Sequence, residues 1–277
     1  MSTSIAARSA LVTGGGSGIG LGAAARLAAD GAHVTICGRT AERLAAALER
    51  LTPEVGQGGS VRSIVADVTV EDQVRAAVAL ASEMTGALDI LFANAGGSMH
   101  MGPLETADAG AVRATIDLNL MGTVLCIKQA VPAMRAGGGG SIIAMSSGAG
   151  AFPHRYLWAY GAAKAGIDML CRSAAEELGA DGIRVNTVQP GIVDDALDVA
   201  HHGRWPTARR LPRRDAAQPG RPGERHRRGR ALPGRPGVLM DHRGEPAHRR
   251  RPPPPPRCRL LPAVQVGARQ GPMMDSS

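Results

Sequence analysis

The chain has 277 residues and a formal net charge of +8, with 44 % hydrophobic, 20 % charged and only 2 % aromatic residues. That length suits a single α/β domain with an extension, and so few aromatics predict a core of Ala, Val, Leu and Ile. Cys37, Cys126, Cys171 and Cys258 show no C-x-x-C spacing and the eight histidines no metal-ligand spacing, so no metal site is expected. The amino terminus lacks a charged region followed by an apolar stretch, and no apolar run of about 18 residues is apparent. Neither secretion nor membrane spanning is indicated, and a reducing cytoplasm is the expected location.

In chain order, Ser9 to Thr13 reads as a short buried strand. It leads into Gly14-Gly15-Gly16-Ser17-Gly18-Ile19-Gly20 and then into an Ala/Leu-rich helix from Leu21 to Asp30. A strand, a glycine-rich turn and a helix start form a phosphate site: bare backbone N–H groups approach the anion, and the positive end of the helix dipole faces it. The spacing is G-x-x-x-G-x-G. A second strand, His33 to Cys37, ends at Gly38-Arg39-Thr40, before a helix from Ala41 to Leu51. In a dinucleotide fold an acidic residue here binds ribose hydroxyls, whereas an arginine suits a 2′-phosphate. Arg39 therefore favours NADP(H), with NAD(H) as the alternative; the competing reading is a solvated arginine opening the helix.

The alternation continues. Val61 to Ala66 reads as a strand closed by Asp67-Val68, and Val70 to Met84 as an amphipathic helix. Leu88 to Phe92 is a strand running into Ala93-Asn94-Ala95-Gly96-Gly97, and Ala111 to Arg135 is largely helical despite Gly122 and Pro132. Ser141 to Met145 is a strand ending at Ser146-Ser147. Tyr156 to Leu178 is a helix, and Ile183 to Val188 a strand ending at Pro190-Gly191. Such a sequence implies right-handed crossovers and a parallel sheet covered on both faces. Ligands of these sheets bind beyond the carboxyl ends of the strands. Gly14, Arg39, Asp67, Asn94, Ser147 and Pro190 all fall there.

Tyr160 lies thirteen residues after Ser147, and Lys164 follows Tyr160 by four. Residues four apart on a helix share a face, so the ammonium and the phenol overlook one groove. A nearby cation is expected to favour phenolate and lower the tyrosine pKa. A tyrosine so tuned can exchange a proton with an alcohol or carbonyl oxygen. Tyr156 has no lysine four residues on and is expected in a substrate pocket or in packing. Phe152, His154 and Trp158 add to an apolar and aromatic wall.

Thr13-Gly14-x-x-x-Gly18-x-Gly20, Asn94-Ala95-Gly96, Asn119, Ser147, Tyr160-x-x-x-Lys164 and Pro190-Gly191 together resemble the short-chain dehydrogenase/reductase family, over residues 9 to about 194. The resemblance implies a Rossmann-type doubly wound parallel sheet in three layers. It implies Tyr160 as general acid/base, with Lys164 lowering its pKa and bonding the nicotinamide ribose. Ser147 would orient the substrate oxygen, and Asn119 would hold a water in a proton relay. Gly14, Gly16, Ser17, Gly18, Ile19, Gly20, Asn94, Ala95, Gly96, Pro190, Gly191 and Val193 would contact the dinucleotide, with Asp67 and Val68 near the adenine. The implied partner is a small alcohol or ketone, bound by Ser147 and Tyr160. Family members are usually homodimers or homotetramers.

From Asp195 the composition breaks. Residues 195–277 hold 18 of the 30 arginines and 14 of the 19 prolines, and no lysine, isoleucine or phenylalanine. Residues 1–194 carry 14 basic and 17 acidic side chains, net −3; the remainder carries 18 and 7, net +11. Residues 1–194 thus read as a catalytic domain and 195–277 as a basic tail expected to be disordered, with a polyproline run at Pro252 to Pro256. The family's final strand and interface helices are not visible there, and Asp195 stands where a threonine contacting the nicotinamide carboxamide is expected. An out-of-frame ending explains this. Met240 is encoded by ATG and the codon of Asp241 begins with G, so the plus-one frame reads tryptophan. The following codons can spell Ile-Thr-Gly and then Asp-Gly, as family members carry. On this reading the chain is inactive or folds poorly, and interface elements are missing. The third reading, a binding protein acting through the tail, lacks lysines and interleaved aromatics, so no specific nucleic-acid or membrane partner is expected.

Overall fold

A computed structural model of the chain describes residues 5–191. The proposed tail and Val193 lie outside the described residues. Six strands form one parallel sheet: β1 (Ser9–Thr13), β2 (His33–Gly38), β3 (Ser60–Val65), β4 (Ile90–Ala93), β5 (Gly140–Met145) and β6 (Ile183–Val188), in the order β3-β2-β1-β4-β5-β6. The order reverses between β1 and β4, where β1 pairs with β2 on one side and β4 on the other. Connecting them are helices α1 (Gly18–Ala29), α2 (Ala41–Leu51), α3 (Glu71–Ser82), α4 (Ala109–Ile116), α5 (Gly122–Ala136), the single turn α6 (Gly148–Ala151) and α7 (Trp158–Leu178).

Strand side chains alternate between faces, so each strand feeds two cores. Ala10, Val12, Val34, Ile36, Phe92 and Met145 pack with Leu21, Ala24, Leu44 and Ala47 under α1 and α2. Leu11, Leu91, Ile142 and Val185 pack on the other face with Val74, Ala130 and Ile167 of α3, α5 and α7. This is the doubly wound, three-layer sheet expected from the sequence. Among the described residues β6 is an edge strand; Val188 is 44 % exposed there.

Three sequence expectations need correction. The helix expected from Ala111 to Arg135 runs without a break from Ala109 to Ala136, but contains one π-type turn, Asp117–Met121, with Asn119 inside it. The helix expected from Tyr156 begins at Trp158 instead, because Tyr156 has φ 70°, a left-handed conformation that cannot continue a right-handed helix. The span Ala109–Ala136 is also long and apolar enough, by mean hydropathy of 1.3, to cross a membrane. Its second half packs one face into the core through Cys126, Ile127, Ala130, Val131 and Met134.

Candidate active site

A groove of ≈ 720 Å³ runs along the carboxyl ends of the strands. The turn after β1 shapes one end. Gly14 has φ +65°, and a Cβ added at Gly20 would lie 2.4 Å from the Gly14 carbonyl oxygen, so neither position accepts a side chain. Gly16, Ser17, Gly18 and Ile19 line the groove at the start of α1, and the N-cap Ser17 makes no side-chain capping bond. A bare backbone at a helix start with a spare hydroxyl fits a pyrophosphate.

The β1 and β4 ends are pinned together. Thr13 Oγ1 accepts hydrogen bonds from Asn94 N and Ala95 N, both at 3.0 Å. Asn94 Nδ2 donates to Thr13 O at 3.0 Å and Gly14 O at 3.3 Å. Arg39 after β2, and Asp67 and Val68 after β3, line the same groove. Asp67 Oδ1 is engaged by the Thr69 N–H at 2.9 Å and hydroxyl at 2.8 Å, which shapes the turn beside Val68. Arg43 and Arg50, on α2 four and eleven residues after Arg39, also line it and were missed from the sequence; the helical spacing of the arginines was the available signal.

At the other end Ser147, Tyr160, Lys164, Pro190 and Gly191 join the lining. Ser147 is the N-cap of α6, its Oγ accepting Ala149 N at 3.2 Å. Lys164 is 2 % exposed, and its ammonium donates to Met145 O at 2.7 Å and lies 5.3 Å from the Tyr160 ring centroid. Burial pulls Lys164 down to about 8, and Asp168 opposes this. Tyr160 moves the other way: burial raises its pKa, and the hydrogen bond with Ser147 offsets only part. The expectation that Lys164 depresses the phenol pKa is therefore corrected. In this chain alone the ammonium is committed to Met145 O, and desolvation of the phenol dominates.

Asn119 does not line the groove. It is fully buried; its Nδ2 donates to Gly97 O at 2.6 Å and Thr115 O at 2.8 Å, while Oδ1 accepts Gly97 N at 3.2 Å. Its side chain clamps the Gly96-Gly97 turn from beneath, and a Cβ at Gly96 would lie 2.6 Å from Asn119 Oδ1. Gly20 is likewise buried under the turn. Tyr156 is 40 % exposed, with the Arg155 guanidinium 4.7 Å over its ring, and stands away from the groove. His100 packs edge-on against Trp158, centroids 5.4 Å apart. Among the described residues no cluster of three potential metal ligands occurs.

The fold and groove define a dinucleotide-dependent oxidoreductase scaffold, and the comparisons narrow it. The family model described as "short chain dehydrogenase" matches residues 8–202. The chain belongs to the short-chain dehydrogenase family and is an NAD(P)-dependent dehydrogenase/reductase of that family. It is 42 % identical over 197 residues to cis-4-hydroxycyclohexanecarboxylate dehydrogenase of Sinomonas cyclohexanicum, covering 71 % of this chain and 78 % of that one. Levodione reductase of Leifsonia aquatica is 36 % identical over 186 residues, 67 % of this chain and 69 % of the relative. A solved short-chain dehydrogenase/reductase from Mycobacterium ulcerans superimposes with a TM-score of 0.69 at 43 % identity, over 71 % of this chain and 72 % of that one.

Proposed function

We propose that the chain is built to transfer hydride between NADP(H) and a secondary alcohol or ketone, with a ring-borne oxygen as the preferred substrate class. One observation carries the reading: a single groove joins the glycine turn and Arg39 to Ser147, Tyr160 and Lys164. Arg39 and Arg43 at the exposed end favour a 2′-phosphate, and hence NADP(H) over NAD(H). A hydroxyl borne on a cyclohexane ring is the group named for the hydroxycyclohexanecarboxylate dehydrogenase relative.

The nicotinamide of such a dinucleotide supplies or takes up the hydride. The protein handles the proton and the geometry. Burial keeps the Tyr160 phenol protonated at neutral pH, which suits it to deliver a proton to a ketone oxygen. The hydroxyl of Ser147, fixed at the start of α6 and hydrogen-bonded with Tyr160, is placed to offer a preorganised hydrogen bond to the same oxygen. Lys164, near its titration midpoint at mildly alkaline pH, provides a buried positive field beside the phenol. Asn119 supports the floor through Gly97.

Fluorescence titration of the purified chain with NADPH and NADH, followed by reduction of 4-substituted cyclohexanones, tests this. Tighter NADPH binding and turnover are expected; binding of neither dinucleotide refutes it. A second reading is favoured by one observation, that the family match stops at residue 202, close to the composition break at Asp195. There the ending is out of frame, activity is impaired, and assembly into the family's usual homodimer or homotetramer is lost. Coding DNA without a family-like plus-one reading near codon 195 would exclude it.

A further inference from the structure

Asp168 has no place in the chemistry above, yet it stands where three site segments converge. It lies on α7, four residues after Lys164 and on the same helix face. Its Oδ2 accepts Gln189 Nε2 at 2.8 Å, while Oδ1 is buried without a hydrogen bond among the described residues. Gln189 separates the end of β6 from Pro190 and Gly191, which line the groove. That strand end is stitched to the Ser147 segment: Ser146 N donates to Val188 O at 2.8 Å, and Gly148 N to Pro190 O at 3.0 Å. Gly150 of α6 packs so closely that a Cβ there would stand 3.2 Å from Asp168 Oδ2 and 3.0 Å from Ala165 N.

We propose that Asp168 is a positioning residue for the catalytic groove: one carboxylate anchors the β6–Pro190 strand end through Gln189 and presents its negative charge to the Lys164 ammonium one helical turn away. Other titratable or charged groups are Tyr160, Cys171, Arg172, Glu176 and Glu177 on α7, and Arg113, Asp117, Asp181 and Arg184 on the elements against it. Of these and Asp168, Asp168 is the one whose field acts on Lys164, opposing its burial. A half-buried carboxylate that keeps one oxygen covered and unpaired is costly to keep, which fits a role in placing charge rather than in packing. The inference rests on Lys164 being part of the site.

Two substitutions separate the two duties. Asp168→Asn keeps an acceptor for Gln189 but removes the charge; Gln189→Leu keeps the charge but removes the tether. The chain contains only two lysines, Lys128 and Lys164, so 13C-lysine labelling gives a readily assigned NMR titration of the ammonium. Asp168→Asn is expected to lower the Lys164 midpoint by at least ~0.5 pH unit, and Asp168→Glu to restore it. Gln189→Leu should leave the midpoint in place and speed amide exchange at Gly148, the donor to Pro190 O, by at least about fivefold. An unchanged midpoint in Asp168→Asn overturns the proposal, as does unchanged Gly148 exchange in Gln189→Leu. If Asp168→Asn does not fold, a midpoint in Asp168→Glu matching wild type supports the charge duty and a fall of that midpoint overturns it. Neither readout needs a dinucleotide. Failure to bind NADP(H) would therefore refute the proposed function without deciding this test.

Discussion

Replacing Lys164 by methionine should make the protein more stable and less competent. The buried ammonium has fallen from an ordinary 10.5 to about 8, chiefly through desolvation. At about 1.4 kcal/mol per pH unit, that fall is a penalty of about 3 kcal/mol for keeping the charge at pH 7. Methionine fills a similar volume and removes the penalty, but it forfeits the bond to Met145 O, worth about 1 kcal/mol. The net expectation is a gain of about 2 kcal/mol at pH 7. The folded protein holds this proton less tightly than the unfolded chain, so the unfolded chain binds more protons between pH 8 and 10.5. Stability from this group therefore climbs with pH across that window, by about 1.3 kcal/mol between pH 7 and 9. Thiols act in the opposite sense: burial raises Cys37 to about 12 and Cys171 to about 11, and their stabilisation is lost as pH rises above 9. Urea unfolding of wild type and Lys164→Met at several pH values cancels those thiols in the difference. The advantage of the variant should shrink from pH 7 to pH 9. A variant less stable than wild type at pH 7, or a difference independent of pH, would refute the reasoning.

Tyr160→Phe should lose at least ~10²-fold in kcat/KM with dinucleotide binding intact, and near-normal turnover would remove Tyr160 from the proton path. Gly20→Ala forces a Cβ toward the Gly14 carbonyl; it should weaken NADPH binding by more than tenfold and lower the melting midpoint by several degrees. Arg39→Ala should weaken NADPH binding about tenfold while leaving NADH within about twofold, as read by fluorescence titration. Asn119→Ala leaves both hydrogen-bonding groups of Gly97 without their clamp, and should cost about 2 kcal/mol in urea unfolding.

The strands and the groove rim were legible because they rest on local signals. Apolar runs bounded by Gly14, Asn94 and Pro190 report both a buried strand and the place where it ends. Ser9–Thr13, Ala41–Leu51 and Ile183–Val188 agree with the structure to the residue. What escaped was set by long-range packing. The π-type turn at Asn119 leaves the chain helical on both sides and only offsets the phase of its apolar stripe, so no breaker residue announced it. Tyr156 is turned into the left-handed region where its carbonyl meets Gly102 N, 54 positions earlier in the chain. The Tyr160–Lys164 spacing reveals adjacency but not depth, and depth decided the direction of the phenol pKa.

The hydroxyl of Thr13 has a wider consequence. By gripping two successive amides beyond β4, it makes the phosphate-turn strand and the strand leading to Gly96 and Gly97 move as one piece. Gly97 in turn is gripped by Asn119. An anion held at the first glycines is thereby joined to the floor beneath Lys164 through the Thr13 hydroxyl and the Asn94 amide together. A Thr13→Val chain would lose the two hydroxyl links and keep the Asn94 bonds to Thr13 O and Gly14 O.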